Sequence, residues 1–122
     1  MMKITKKQYQ LFVDKVHVFI EAFGLKSWDI TFKFGGTDPG DMSDVVFHLG
    51  SRICTFSLST TSRTKLSDKR ISKLAFHEVC ELFLADFRIH MNQSAEIVDQ
   101  VIHEKIRVLE NILYGSMVEE DE

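Results

Sequence analysis

Tyr9, Phe12, Val13, Val16, Phe19, Ile20 and Phe23 recur three and four residues apart. That spacing gathers them on one broad helical face, so the pattern predicts an amphipathic helix over residues 6–23. Thr5 and Gln8 have the spacing of a capping box, and Gly24 stands where a helix ends without strain. The period then changes. Trp28, Ile30, Phe32 and Phe34 alternate with polar residues, which predicts a half-buried strand over 28–34. The run GGTDPGD at 35–41 holds three of the six glycines and the only proline, and reads as a loop. Short strands follow at 45–49 and 53–58, joined by a hairpin around Gly50-Ser51. In the second of them Cys54, Phe56 and Leu58 oppose Ile53, Thr55 and Ser57, so the sheet has one apolar and one wet face.

A polar connector, 60–67, leads to a second helix over about 68–89. Leu74, Phe76, Val79, Cys80, Leu82, Phe83, Leu84 and Phe87 surround its axis, the pattern of a central helix covered on several sides. A break at Met91-Asn92-Gln93 precedes a third helix over 94–114, which Gly115 can close. Helix, three strands, helix, helix defines an α+β class: one domain over 1–115, with a three- or four-stranded sheet packed on helices. An acidic tail, 116–122, follows.

A chain of 122 residues can bury one core without staples. Formal charge is −3, and Glu119, Glu120, Asp121 and Glu122 carry more than that alone. Arg63, Lys65, Lys69, Arg70 and Lys73 form a basic patch without interleaved aromatics, so it reads as solvated surface rather than a nucleic-acid groove. Two cysteines make no disulfide framework, and no apolar run resembles a signal peptide or a membrane span. A reducing cytoplasm is the expected setting.

Ionised groups are expensive on a helix that is apolar almost all round. His77, Glu78 and Glu81, in AFHEVCELFL at 75–84, therefore need a cause. His77 and Glu81 are four apart and share a face, while Glu78 is turned about 100° from His77. On the third helix Glu104 shares a stripe with Ile97, Val101 and Val108, whereas His103 and Glu110 fall on the opposite, wetter side. Packing the two helices through their apolar faces would bring His77, Glu81 and Glu104 together, a set that with water makes a four-coordinate zinc site. The plainer reading is a satisfied buried histidine beside two solvated carboxylates. Cys80 reads as core filler, and His17, His48, His90 and His103 as structural.

Four segments occur in a telling order: GLKSWDITFKF at 24–34, RICTFSL at 52–58, HEVCELFL at 77–84 and HEKIRVLEN at 103–111. In these the chain, over about residues 8–113, resembles the small gluzincin-type zinc metallopeptidase domains of phages and prophages. The resemblance implies His77 as first zinc ligand, Glu78 as general base and Glu104 as third ligand. Glu81 stands where the family has its second ligand histidine. The resemblance also implies an extended peptide or protein segment paired along the strand near 53–58, through main-chain hydrogen bonds at a free sheet edge. It places the protein in a host-cell cytoplasm. One histidine and two glutamates around Zn²⁺ leave zero charge, where two histidines and one glutamate leave +1, so a bound water is acidified less. Such an oxygen-rich set also admits manganese, or no metal. Two functions therefore stay open: a metal-dependent peptidase with weakened or altered activity, and a catalytically inactive phage accessory protein that binds a host or phage protein through the former cleft.

Overall fold

A computed structural model describes residues 1–85 and 94–114. The chain opens with a two-residue strand, β1 (Met2–Lys3), and enters α1 (Lys6–Ala22) at Thr5. The capping box forms: the Gln8 amide donates to Thr5 Oγ1 at 3.1 Å and the Thr5 amide donates to Gln8 Oε1 at 2.8 Å. Together these satisfy two of the otherwise unpaired amides at the helix start. Phe12, Val16 and Ile20 are the buried positions of α1, and Gly24, at φ 70°, turns the chain out of it.

The strands β2 (Asp29–Phe34), β3 (Ser43–His48) and β4 (Ile53–Leu58) make a sheet of order β2-β4-β3. β2 runs parallel to β4, and β3 antiparallel to it. The turn between β3 and β4 places Arg52, not a glycine, in the left-handed region at φ 57°. Its guanidinium lies 4.3 Å from the ring centroid of Trp28, a contact that helps hold the turn. Alternation along β4 follows the predicted faces: Cys54, Phe56 and Leu58 enter the core, while the Thr55 and Thr31 hydroxyls meet at 2.7 Å on the other side. A short strand, β5 (Thr61–Ser62), pairs with β1 as a separate two-stranded ribbon.

β4 is thus the central strand, hydrogen-bonded on both sides. An extended segment cannot add to residues 53–58 without breaking existing pairs, which corrects the expectation of a free edge there. The edge facing the helices belongs to β3.

α2 (Asp68–Phe83) starts at Ser67, whose Oγ accepts the Arg70 amide at 3.0 Å, and Leu84 is its C-cap. Ile71, Ala75, Val79 and Cys80 have no exposed surface. The helix is covered by α1, by β3 and by α3 (Ala95–Tyr114), as its all-round apolar sequence requires. Phe76 and Cys80 meet Val98, Ile102 and Ile106 in a second core cluster between α2 and α3. Residues 86–89 of the expected second helix, the break at 91–93, Gly115 and the tail 116–122 lie outside the described residues, as do Phe87 and His90. Among the described residues no helix is long and apolar enough to cross a membrane.

Candidate metal centre

Packing of α3 on α2 decides which polar side chains meet. α3 buries Val98, Ile102, Ile106 and Glu110, four residues apart each time, and leaves Ile97 and Val108 exposed. His103 lies on the same side as Ile106 and Glu110, and so reaches the gap between α3, α2 and β3.

There His77 holds three relationships. Its Nδ1 lies 3.0 Å from Glu110 Oε2. A carboxylate only accepts, so this nitrogen carries the proton and donates. Its Nε2 faces Glu81 Oε2 at 3.6 Å, and its ring stacks on His103 with centroids 6.0 Å apart. Glu81 Oε2 in turn lies 2.9 Å from His103 Nε2, so one carboxylate sits between two imidazoles. One donor atom from each of His77, Glu81 and His103 falls within 4.8 Å of the others. Four-coordinate zinc, with ligands at roughly 2.0–2.1 Å, separates its donors by about 3.3 Å. The 3.6 Å spacing is close to that value, and the 2.9 Å ion-pair contact is somewhat shorter.

Glu78 occupies the adjoining wall. It is 7% exposed, and Ser43 of β3 donates to its Oε2 at 2.6 Å. Burial pushes its carboxyl up; the Ser43 hydrogen bond and the His77 charge oppose this, and the Glu81 and Asp44 charges add to it, leaving it near 7. For His77, burial favours the neutral ring, but hydrogen bonds to Glu110 and Glu81 and the charges of Glu78 and Glu110 outweigh it and lift the pKa to about 10. A metal ion therefore has to displace a proton from His77, which makes binding pH-dependent. Burial, with the Glu110 and Glu81 charges, pushes the Cys80 thiol up to about 12. Cys80 is core filler, as its place in the sequence predicts.

Of the residues expected at the site, the structure brings His77 and Glu81 together and sets Glu78 beside them. It does not bring Glu104 there. Glu104 is exposed and lines a neighbouring hollow with Glu96, Gln100 and Arg107, which His103 and Asp99 border from the side of the cluster. The stripe Ile97, Val101, Glu104, Val108 is not the one turned to α2, and the expectation that His103 and Glu110 are on the wet side is reversed for Glu110, which is 9% exposed. The cause is the apolar content of α3. Isoleucines and valines occur on both edges of its face, so periodicity alone leaves the phase free by one residue. A usable signal existed: His103 and Glu110 are seven apart, two turns, and flank Ile106 on one side of the helix.

The cluster opens on a cleft of about 530 Å³ floored by Ser43, Val45 and Phe47 of β3. The Ser59 amide donates to Met42 O at 2.8 Å, which sets the alternation of the antiparallel ladder. The amides of Ser43, Val45 and Phe47 accordingly point away from β4, toward the edge that no strand among the described residues pairs. Compared with known proteins, the chain matches no family model, no curated protein and no solved structure. The fold and the cluster define an α+β protein bearing a His/Glu site capable of coordinating a metal ion.

Proposed function

We propose that this protein is a zinc-dependent peptidase of gluzincin-like design whose donors are supplied in permuted order, His77 and Glu81 from α2 and His103 from α3. The observation that carries the reading is the convergence of those three side chains next to the buried Glu78. The donor set fits zinc by chemistry: two imidazoles and one carboxylate, with room for a further ligand. It restores the +1 charge that a His, Glu, Glu set would lose, and makes an oxygen-preferring ion such as manganese the poorer match. Glu110 would fix the tautomer and aim of His77, the role that carboxylates commonly play behind a ligating histidine.

A bound zinc ion would supply a Lewis acid that acidifies water and polarises a carbonyl. Glu78, with its carboxyl near 7, is suited to take a proton from water and later return it to the leaving amine. The substrate would be an extended peptide or protein segment lying along the outer edge of β3, which no strand among the described residues pairs. A phage-derived protein working in host cytoplasm fits this reading.

The test is elemental analysis of the purified chain with zinc supplied. One equivalent is expected, with loss in H77A and H103A. E78Q is expected to keep the metal and lose cleavage of a peptide library. A metal-free wild type under these conditions rules the proposal out.

One observation favours a second reading. His77–Glu110 and His103–Glu81 satisfy one another without any ion, as a retired site would. The protein would then be an inactive accessory protein that binds a host or phage protein through the same cleft. It predicts no stoichiometric metal and unchanged partner binding in E78Q.

A further inference from the structure

The sheet has a second edge. β3 borders the metal cleft, and β2 ends the sheet on the other side, where no strand among the described residues pairs with it. The ladder inside the sheet decides which main-chain groups face that edge. The Asp29 amide donates to Arg52 O at 2.8 Å and the Gly35 amide to Leu58 O at 2.7 Å, so the odd-numbered residues of β2 turn their amides to β4. Ile30, Phe32 and Phe34 therefore point theirs outward. The side chains of these three face the core, yet each stays half-buried, whereas Cys54, Phe56 and Leu58 beside them on β4 are fully covered. Tyr9 stacks on Phe34 and His17 tilts against Phe32, so the apolar layer under α1 runs out to this edge. No proline interrupts the strand. Charged residues on such an edge repel a neighbour that brings like charge and select one that brings the opposite.

β2 is complementary to itself. In an antiparallel pair centred on Thr31, Ile30 of one copy stands opposite Phe32 of the other. Both turn their amide and carbonyl to that partner, as a hydrogen-bonded pair requires. On the wet face, where Asp29 and Lys33 are exposed, the same register sets Asp29 opposite the second copy's Lys33, and Lys33 opposite its Asp29. Two threonines stand between these ion pairs. Centring the pair on Ile30 or on Phe32 also keeps the faces matched. It sets Lys33 opposite Ser27 in the first case and Thr31 in the second, and the charge pairing is lost.

We propose that this protein forms a symmetric dimer in which β2 pairs antiparallel with β2 of a second copy, centred on Thr31. The pairing joins two three-stranded sheets into one, covers the half-buried side chains at the seam, and leaves the two clefts at its far ends. A two-fold axis makes every contact occur twice, so one Asp–Lys complementarity becomes two. The inference does not depend on the peptidase reading, because β2 contributes nothing to the metal cluster or its cleft.

The test is sedimentation velocity on the full chain over a range of concentrations. A dimer is expected, and it should weaken as salt rises. D29K and K33E each set like charges opposite one another at both symmetric positions, and each should weaken the dimer about tenfold. D29K/K33E restores opposite charge in both pairs and should recover most of that loss. A mixture of the two single variants is specific to this register: D29K chains and K33E chains should form a heterodimer, since each meets its opposite charge only in the other. Hydrogen exchange on the unaltered chain needs no variant to fold. The amides of Ile30 and Phe32 should exchange more slowly as protein concentration rises. A chain that stays monomeric at every concentration overturns the inference. So does a dimer indifferent to D29K and K33E, a mixture of those variants that forms no heterodimer, or exchange at Ile30 and Phe32 that ignores concentration.

Discussion

His103→Ala and Glu104→Ala, one residue apart on α3, discriminate between the two ways of phasing that helix. In the structure His103 Nε2 is 2.9 Å from Glu81 Oε2 and belongs to the three-donor cluster, whereas Glu104 is exposed and lies outside that cluster. Structural zinc sites with four ligands bind with about 10–16 kcal/mol, so each donor carries about 3 kcal/mol. Losing one should weaken zinc by at least about 100-fold. E104A removes a solvated side chain and should leave both affinity and stability within about 0.5 kcal/mol. Competition against a chromophoric chelator at fixed pH measures the first quantity, and denaturant unfolding the second. A donor swap sharpens the test. H103E alone gives a His, Glu, Glu set with zero net charge, and E81H alone gives three histidines with +2. The double variant E81H/H103E returns to two histidines and one glutamate with the sequence order HExxH, and should recover most of the affinity that H103E loses. Strong zinc loss in E104A, or full affinity in H103A, would refute the packing argument and the site together.

The other expectations use the same geometry. E110Q keeps the shape behind His77 Nδ1 but removes the charge, and should lower zinc affinity about 10–100-fold, measured by the same competition; an unchanged constant would mean that Glu110 does not orient the ring. F76A empties a site that is 3% exposed, between Phe19 and Phe23 of the α1 end and the α3 cluster. It should reduce unfolding free energy by about 3–5 kcal/mol, and a loss under 1 kcal/mol by urea titration contradicts that packing. In chelator, stability should fall as pH rises. Glu78 holds its proton up to about 7 when folded, against an ordinary 4.5, and His77 to about 10, against 6.5. The folded state binds more protons than the unfolded one across both windows, so stability drops from about pH 4.5 to 7 through Glu78 and from about 6.5 to 10 through His77. A Tm in chelator that climbs across pH 6–9 would reverse the sign and contradict the charge assignments.

What could be read from the chain was whatever a local pattern decides. The capping box at Thr5 and Gln8, the alternation through β4 and the all-round apolar α2 each follow from spacing within a few residues, and each is found. Sheet order was not legible. It depends on β2 and β4 pairing in parallel across 18 intervening residues, from Phe34 to Ile53, and no local pattern encodes that. Hence the strand offered for an extended partner was the central one instead of the edge strand β3. Half of the site was legible for a similar reason. His77 and Glu81 share a face of one helix whatever surrounds it, so the pair needs no tertiary information. The third donor depends on the rotation of α3, which Val98, Ile102 and Ile106 settle by burying themselves against Phe76 and Cys80.

That dependence also explains how a glutamate can stand at residue 81 without necessarily spoiling a metal site. What a cation responds to is the sum of charge and the kind of donor atoms around it, not which helix supplies each one. Once α3 is rotated so that Ile106 is fully buried, the residue one turn earlier that reaches the gap is His103, and the residue one turn later is Glu110. A carboxylate at 81 then has an imidazole on each side. A histidine there would put three imidazoles in one small space, with Glu110 as the only carboxylate bonded to any of them. On the proposed gluzincin-like reading, Glu81 and His103 are one exchange: the carboxylate moves from α3 to α2 and the imidazole from α2 to α3. The core cluster that holds Phe76, Cys80, Val98, Ile102 and Ile106 keeps the two in register.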